Sequence, residues 1–85
     1  MEEKLIGKIT HYFTNIGVGV IEITAGDLKV GDKIHIKGAT SDFEQTIDSM
    51  QIEHENIEKA KKGDAVGLKV DQQVREGDQV FKIVE

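Results

Sequence analysis

The segment from Leu28 to Gly38 reads LKVGDKIHIKG, a Gly-Asp pair followed by isoleucines that alternate with polar side chains. Its phrase returns as KKGDAVGLKV over 61–70 and as REGDQVFKIV over 75–84. Set as four-residue turns, the copies are Lys29-Val30-Gly31-Asp32, Lys61-Lys62-Gly63-Asp64 and Arg75-Glu76-Gly77-Asp78, with Thr24-Ala25-Gly26-Asp27 as a fourth. Glycine is third in each. That is the place in a type II turn that demands a positive φ, which glycine adopts without steric cost, while the aspartate can accept hydrogen bonds from nearby backbone amides. The phrase is therefore a device that starts strands. A phosphate cradle would need a glycine-rich loop opening a helix and the signature GxxxxGKS or GxxxxGKT, which the chain lacks.

Strand runs flank these turns. Ile34 and Ile36 alternate with Lys33, His35 and Lys37, a half-buried strand with a wet outer face. Val66, Leu68 and Val70 alternate in the same way, and Val80 to Val84 is apolar apart from Lys82. Upstream, Leu5 to Thr14 and Val18 to Thr24 form two more runs. Ile9 is expected inward with Leu5 on the same face, Gly7 marks a bend or a close backbone approach, and Val18, Val20, Ile21 and Ile23 are expected in the core. Tyr12 and Phe13 are adjacent, so a strand sends one inward and the other outward. From Phe43 to His54 the apolar positions change parity, which a β-bulge near Asp48 or Ser49 would repair. The segment NIEKAKKGD over 56–64 reads as a turn. About six strands result, and with regular turn spacing, no proline and no long helix the chain reads as an all-β barrel or sandwich, closure into a barrel being the way to remove exposed edges.

Eighty-five residues make one domain with a single modest core. Cysteine is absent, so disulfides, thiolate nucleophiles and cysteine metal sites are excluded. No apolar run approaches the ~20 residues of a membrane span and MEEKLIGK does not resemble a secretory signal, so the expected location is the cytoplasm, without membrane binding. With 11 Lys plus Arg against 16 Asp plus Glu the net charge is −5, opposite to that of a typical nucleic-acid binder, although Lys59, Lys61 and Lys62 gather a local basic patch.

His11, His35 and His54 lie on three different runs, and Glu53-His54-Glu55 would point in alternate directions on a strand, so no metal site is expected. No GxSxG elbow is present and a small filled barrel leaves little room for a substrate pocket, so neither catalysis nor a cofactor is expected.

In order along the chain, Gly7-Lys8-Ile9, Gly17-Val18-Gly19-Val20, Leu28 to Ile34, Ala60 to Leu68 (AKKGDAVGL) and Gly77-Asp78-Gln79-Val80 resemble domain 2 of translational GTPases such as elongation factor Tu. That resemblance implies a six-stranded closed Greek-key β-barrel. It carries no GTP binding by this chain, because the nucleotide-binding domain and its P-loop are missing. In that family the barrel helps hold the aminoacyl end of tRNA through a stretch that matches Met50 to Glu55 here, where Gln51 replaces a glutamate and His54-Glu55 a basic pair. A similar barrel is found at the C-terminus of collagenase-like peptidases, including those of RNA-modifying systems, which implies an accessory subunit. A fainter likeness is to lipoyl or biotinyl carrier domains, with Lys59 in the place of the modified lysine. The expectation is a non-enzymatic binding module in translation or RNA modification, whose partner is a protein or an RNA or tRNA. The residues expected to meet that partner are Gln51, Glu53, His54, Lys59, Lys61 and Lys62.

Overall fold

A computed structural model describes residues 2–39, 41–53 and 55–84. Its strands are β1 (Glu2–Phe13), β2 (Val18–Ile23), β3 (Asp27–Lys29), β4 (Lys33–Lys37), β5 (Asp42–Thr46), β6 (Met50–Ile52), β7 (Glu55–Ile57), β8 (Lys59–Lys61), β9 (Ala65–Lys69) and β10 (Gln79–Val84). No helix occurs among the described residues. The class is all-β, as the alternation implied.

The Gly-Asp phrases act as turns. Gly31, Gly63 and Gly77 have φ of 97°, 96° and 92°. In each turn the aspartate amide donates back to the first residue's carbonyl, as Asp32 does to Lys29 (3.1 Å), Asp64 to Lys61 (2.9 Å) and Asp78 to Arg75 (3.1 Å). The aspartate Oδ2 then accepts the first residue's own amide, at 3.0 Å in all three. Each turn is also clamped to one isoleucine, whose carbonyl accepts the glycine N–H and whose N–H donates to the aspartate carbonyl. The pairs are Gly31-Asp32 with Ile47, Gly63-Asp64 with Ile23, and Gly77-Asp78 with Ile9. All three isoleucines are buried. One phrase thus fixes a turn and plants a core side chain beside it.

The strands pair as an eight-stranded sheet in the order β5-β4-β10-β1-β2-β9-β6-β7 and a two-stranded ribbon, β3-β8. A closed six-stranded barrel is not what forms: among the described residues no backbone ladder joins the edges β5 and β7, and the chain is divided into ten strands rather than six. The free edge β5 is held by side chains instead. Gln45 is buried, its Nε2 donates to the Lys69 carbonyl (2.9 Å), and its Oε1 accepts the Asp71 amide (2.8 Å). Ser41 Oγ donates to the Gln73 carbonyl (3.2 Å) beside it.

Two irregularities in β1 set which side chains face the core. The register shifts between Leu5 and Gly7 in the pairing with β10, and between Ile9 and His11 in the pairing with β2. An extra residue in one strand changes the parity of every residue beyond it. Ile6 and Ile9 are therefore buried, whereas Leu5, expected beside Ile9, is exposed. Gly7 is a close approach, since a Cβ there would run into the Glu22 carbonyl oxygen. On β2 the inward positions are Gly19, Ile21 and Ile23, while Val18 and Val20, expected inside, face the other way and are half-buried. Tyr12 packs against the core and Phe13 is exposed, as the strand parity required.

Further along, the parity change after Phe43 is resolved by a break in the strand rather than by a bulge. β5 stops at Thr46, Ile47 pairs with the Gly31-Asp32 turn, and β6 starts at Met50. The segment 56–64, read as a turn, instead contains the end of β7 and all of β8. Its register with β3, Leu28 opposite Ala60, puts both of these side chains inside. Only short alternation betrays such a strand, and lysine at Lys59 and Lys61 masks it.

Because an added Cβ at Gly31, Gly63 or Gly77 meets nothing within 4 Å, the positive φ alone resists substitution. Alanine at any one of the three should cost about 1–2 kcal/mol in urea unfolding. D-alanine introduced there by chemical synthesis should leave stability equal to or above that of the parent, which would isolate the backbone as the cause.

Candidate functional site

The outer face of β1, β2, β9 and β6 carries an apolar groove. Register places His11 opposite Val20, Val20 opposite Gly67, and Gly67 opposite Gln51, a row of outward positions that crosses four strands. Next to it Phe13 lies opposite Val18. The resulting depression of about 320 Å³ is lined by Phe13, Ile16, Val18, Val20, Gln51, Glu53, Ala65 and Gly67. The shift between Ile9 and His11 creates this row, since it brings His11 and Phe13 to the outer face. Glycine at 67 leaves the floor open, and a Cβ there would find only ordinary contact, 3.4 Å from Val18 Cγ1.

The groove's mouth is built at two hairpins. Between β1 and β2 the amides of Ile16 and Gly17 both donate to the Phe13 carbonyl (3.3 and 2.9 Å), which holds Ile16 at the tip with 63% of its surface exposed. Phe13 is 45% exposed and meets the His11 ring edge-on at 4.4 Å between centroids. Across the groove, Gln51 Nε2 donates to Asn56 Oδ1 on the paired strand (3.0 Å). Glu53 is the one non-glycine residue with positive φ among those described, at 52°. Ile52 pairs with Glu55, so the connection is two residues long, and such hairpins require left-handed backbone that glycine or asparagine usually supplies. Keeping glutamate there costs about 1 kcal/mol and sets a carboxylate on the rim.

Of the residues expected to meet a partner, Gln51 and Glu53 share this groove. His54 lies outside the described residues. The three lysines belong elsewhere, Lys59 and Lys61 on β8 and Lys62 in the turn after it, and none lines the groove. Lys59 reaches Asp27 at 3.5 Å, and the Lys61 amide is taken up by Asp64. The sequence missed Phe13, Ile16, Val18, Val20, Ala65 and Gly67. Its signal was Val18 and Val20 sharing a strand with Ile21 and Ile23, apolar on both faces, which reads as burial until the fold shows the outer one lining an open groove.

Two charged clusters lie apart from the groove. Lys82 Nζ contacts Asp27 (3.2 Å) and Asp32 (3.3 Å). Partial burial opposes its charge, but the two carboxylates outweigh that and raise its pKa, while Lys82 lowers that of Asp27. On the outer face of β4, His35 Nε2 meets Asp42 at 2.5 Å and Nδ1 meets Glu3 at 2.9 Å, with Glu44 directly opposite on β5. Glu3, His35 and Glu44 each present a ligand atom within 4.8 Å of the others. Both imidazole nitrogens face carboxylates, however, an arrangement that favours imidazolium, and a metal ligand must be neutral.

The bond to Asp42, then that to Glu3, raises the His35 pKa against the opposing effect of burial, and His35 lowers that of Asp42. A raised histidine contributes stability that is complete below its unfolded value of about 6.5 and is lost as pH rises through the folded value. The depressed Asp42 contributes above its own unfolded value and loses that share as pH falls through its folded one. The Tm advantage of the protein over His35→Gln should therefore be widest near pH 6 and shrink in alkaline buffer, as a thermal-melt series across pH would record.

No protein-family model matches the chain. Over 81 residues, 94% of this chain, it is 43% identical to an uncharacterized protease of Methanocaldococcus jannaschii, where the matched stretch is 20% of that protein. Over 82 residues, 95% of this chain, it is 33% identical to a collagenase of Porphyromonas gingivalis, where the stretch is 23%. The chain thus spans about a fifth of the length of the curated relatives it matches. In structure it superimposes on the crystallised C-terminal domain of a Geobacillus thermoleovorans protein described as a U32 peptidase, with a TM-score of 0.87 at 18% identity, covering 95% of this chain and 93% of that one. The chain has that domain's fold.

These findings correct the likeness to elongation factor domain 2 and with it the description as translation-factor-like. Similarity along nearly the whole chain runs to proteases and collagenases. The phrases that suggested otherwise are largely the Gly-Asp turns, and backbone demand for positive φ selects those residues in any fold that uses the same turn.

Proposed function

We propose that this chain is a non-catalytic accessory domain of the kind found within U32 peptidase and collagenase chains, serving a catalytic body of that type in the same or a separate polypeptide. The observation that carries this is the asymmetry of coverage. Matches take in 94% and 95% of this chain but only 20% and 23% of the relatives, so most of each relative lies outside the region it shares with this domain. Inside the domain the conspicuous outer feature is a groove lined by apolar residues with one carboxylate and one amide, a composition suited to holding a protein surface rather than to bond cleavage. Of the two partner classes expected from sequence, a protein is the one proposed.

The test replaces the matching stretch of the Porphyromonas gingivalis collagenase by this chain. The chimaera should digest gelatin at a rate within about tenfold of the parent, a barrier change of roughly 1.4 kcal/mol, whereas the isolated chain should release no peptides. Gelatin turnover by the isolated chain, or a chimaera without activity beside an active parent, would overturn the reading.

A further inference from the structure

We infer that the groove between the β1–β2 hairpin and the β6–β7 hairpin is the face by which this domain docks on the catalytic body, and that the body inserts there an apolar side chain flanked by a basic group. This rests on the accessory role proposed above. In the relatives the matched stretch is about a fifth of a longer chain, which leaves a large body for it to meet, and contacts between domains of one chain bury surface of the order of 600–1,500 Å².

Among the described residues the exposed large hydrophobics are Leu5, Phe13, Ile16 and Val30. Phe13 and Ile16 line one groove and are joined there by half-buried Val18 and Val20, so they form a continuous patch rather than scattered single residues. The floor is open because residue 67 has no side chain, which leaves space for one supplied from outside. Glu53, held on the rim in a left-handed conformation, supplies the charge that an incoming arginine or lysine would meet, and the Gln51 amide offers a carbonyl oxygen beside it. The lysine ribbon is the weaker alternative, since Lys59 and Lys82 already share Asp27 and their partners lie within the domain.

Two substitutions separate docking from folding. Ile16→Asp changes a side chain at a hairpin tip that is largely in solvent, and Gly67→Val fills the floor where a Cβ meets only ordinary contact. Lys59→Glu alters the ribbon and serves as the control. Calorimetry is run on the isolated chain and on the full collagenase chimaera, each with and without these changes. Docking should raise the domain's Tm in the chimaera by at least about 4 °C over the isolated chain. Ile16→Asp and Gly67→Val should abolish that rise while leaving the isolated chain's own Tm within a few degrees, and Lys59→Glu should preserve it. A rise that survives both groove variants overturns the groove and leaves the accessory role standing. The absence of any rise overturns the docking face, and in a chimaera that has also lost gelatin digestion it overturns the accessory role as well.

Discussion

Three buried isoleucines each hold a Gly-Asp turn by two backbone hydrogen bonds, and the rest of the domain is arranged around those clamps. Ile9, Ile23 and Ile47 come from β1, the end of β2 and the segment after β5, so the three copies of one local device tie distant parts of the chain together. Each clamp satisfies two polar groups that burial of the isoleucine would otherwise strand, an omission costing about 1–3 kcal/mol for each group left unpaired. The turn and the core position are therefore stabilised by the same contact. The clamps also place Asp32 and Asp78, whose carboxylates reach back over their own turns to the Lys29 and Arg75 amides.

With the core side of the sheet anchored in this way, the outer face is left to the irregularities of β1. The shift between Ile9 and His11 aligns His11, Val20, Gly67 and Gln51 across four strands and turns Phe13 to the surface. A regular strand would have aligned a different set. The groove is thus a consequence of a break in periodicity, as is common where β-bulges re-aim side chains at working surfaces. The same face carries Glu53, the one non-glycine residue with positive φ among those described.

What sequence could reveal tracked the range of the interactions concerned. The four glycines at the third turn position, the alternation of Ile34 with Ile36 and of Val66 with Leu68, and the outward placement of His35 all depend on neighbours within a few residues, and each appears in the structure. Leu5, Val18 and Val20 were misplaced because their facing depends on register with other strands. The strand β8 was hidden because its partner, β3, lies about thirty residues away and its outward positions are lysines. Of the site, Gln51 and Glu53 were legible as an unusual stretch in an apolar skeleton, whereas Lys59 and Lys61 form part of a separate ribbon and Lys62 lies in the turn after it.

By itself, then, the sequence determined the local grammar: where the chain turns, which backbone positions need glycine, and that the elements between turns are strands. Steric limits on φ and the two-residue period of a strand act over a few bonds, and no tertiary context is needed to impose them. Only the tertiary structure decided that the sheet stays open, with Gln45 rather than a backbone ladder holding the edge β5, and that Val18, Val20 and Gly67 line a groove instead of a core. Those outcomes turn on which strand lies beside which and in what register. A shift of a single residue, such as that before His11, exchanges inside for outside, and its position is set by pairing partners far away in the chain.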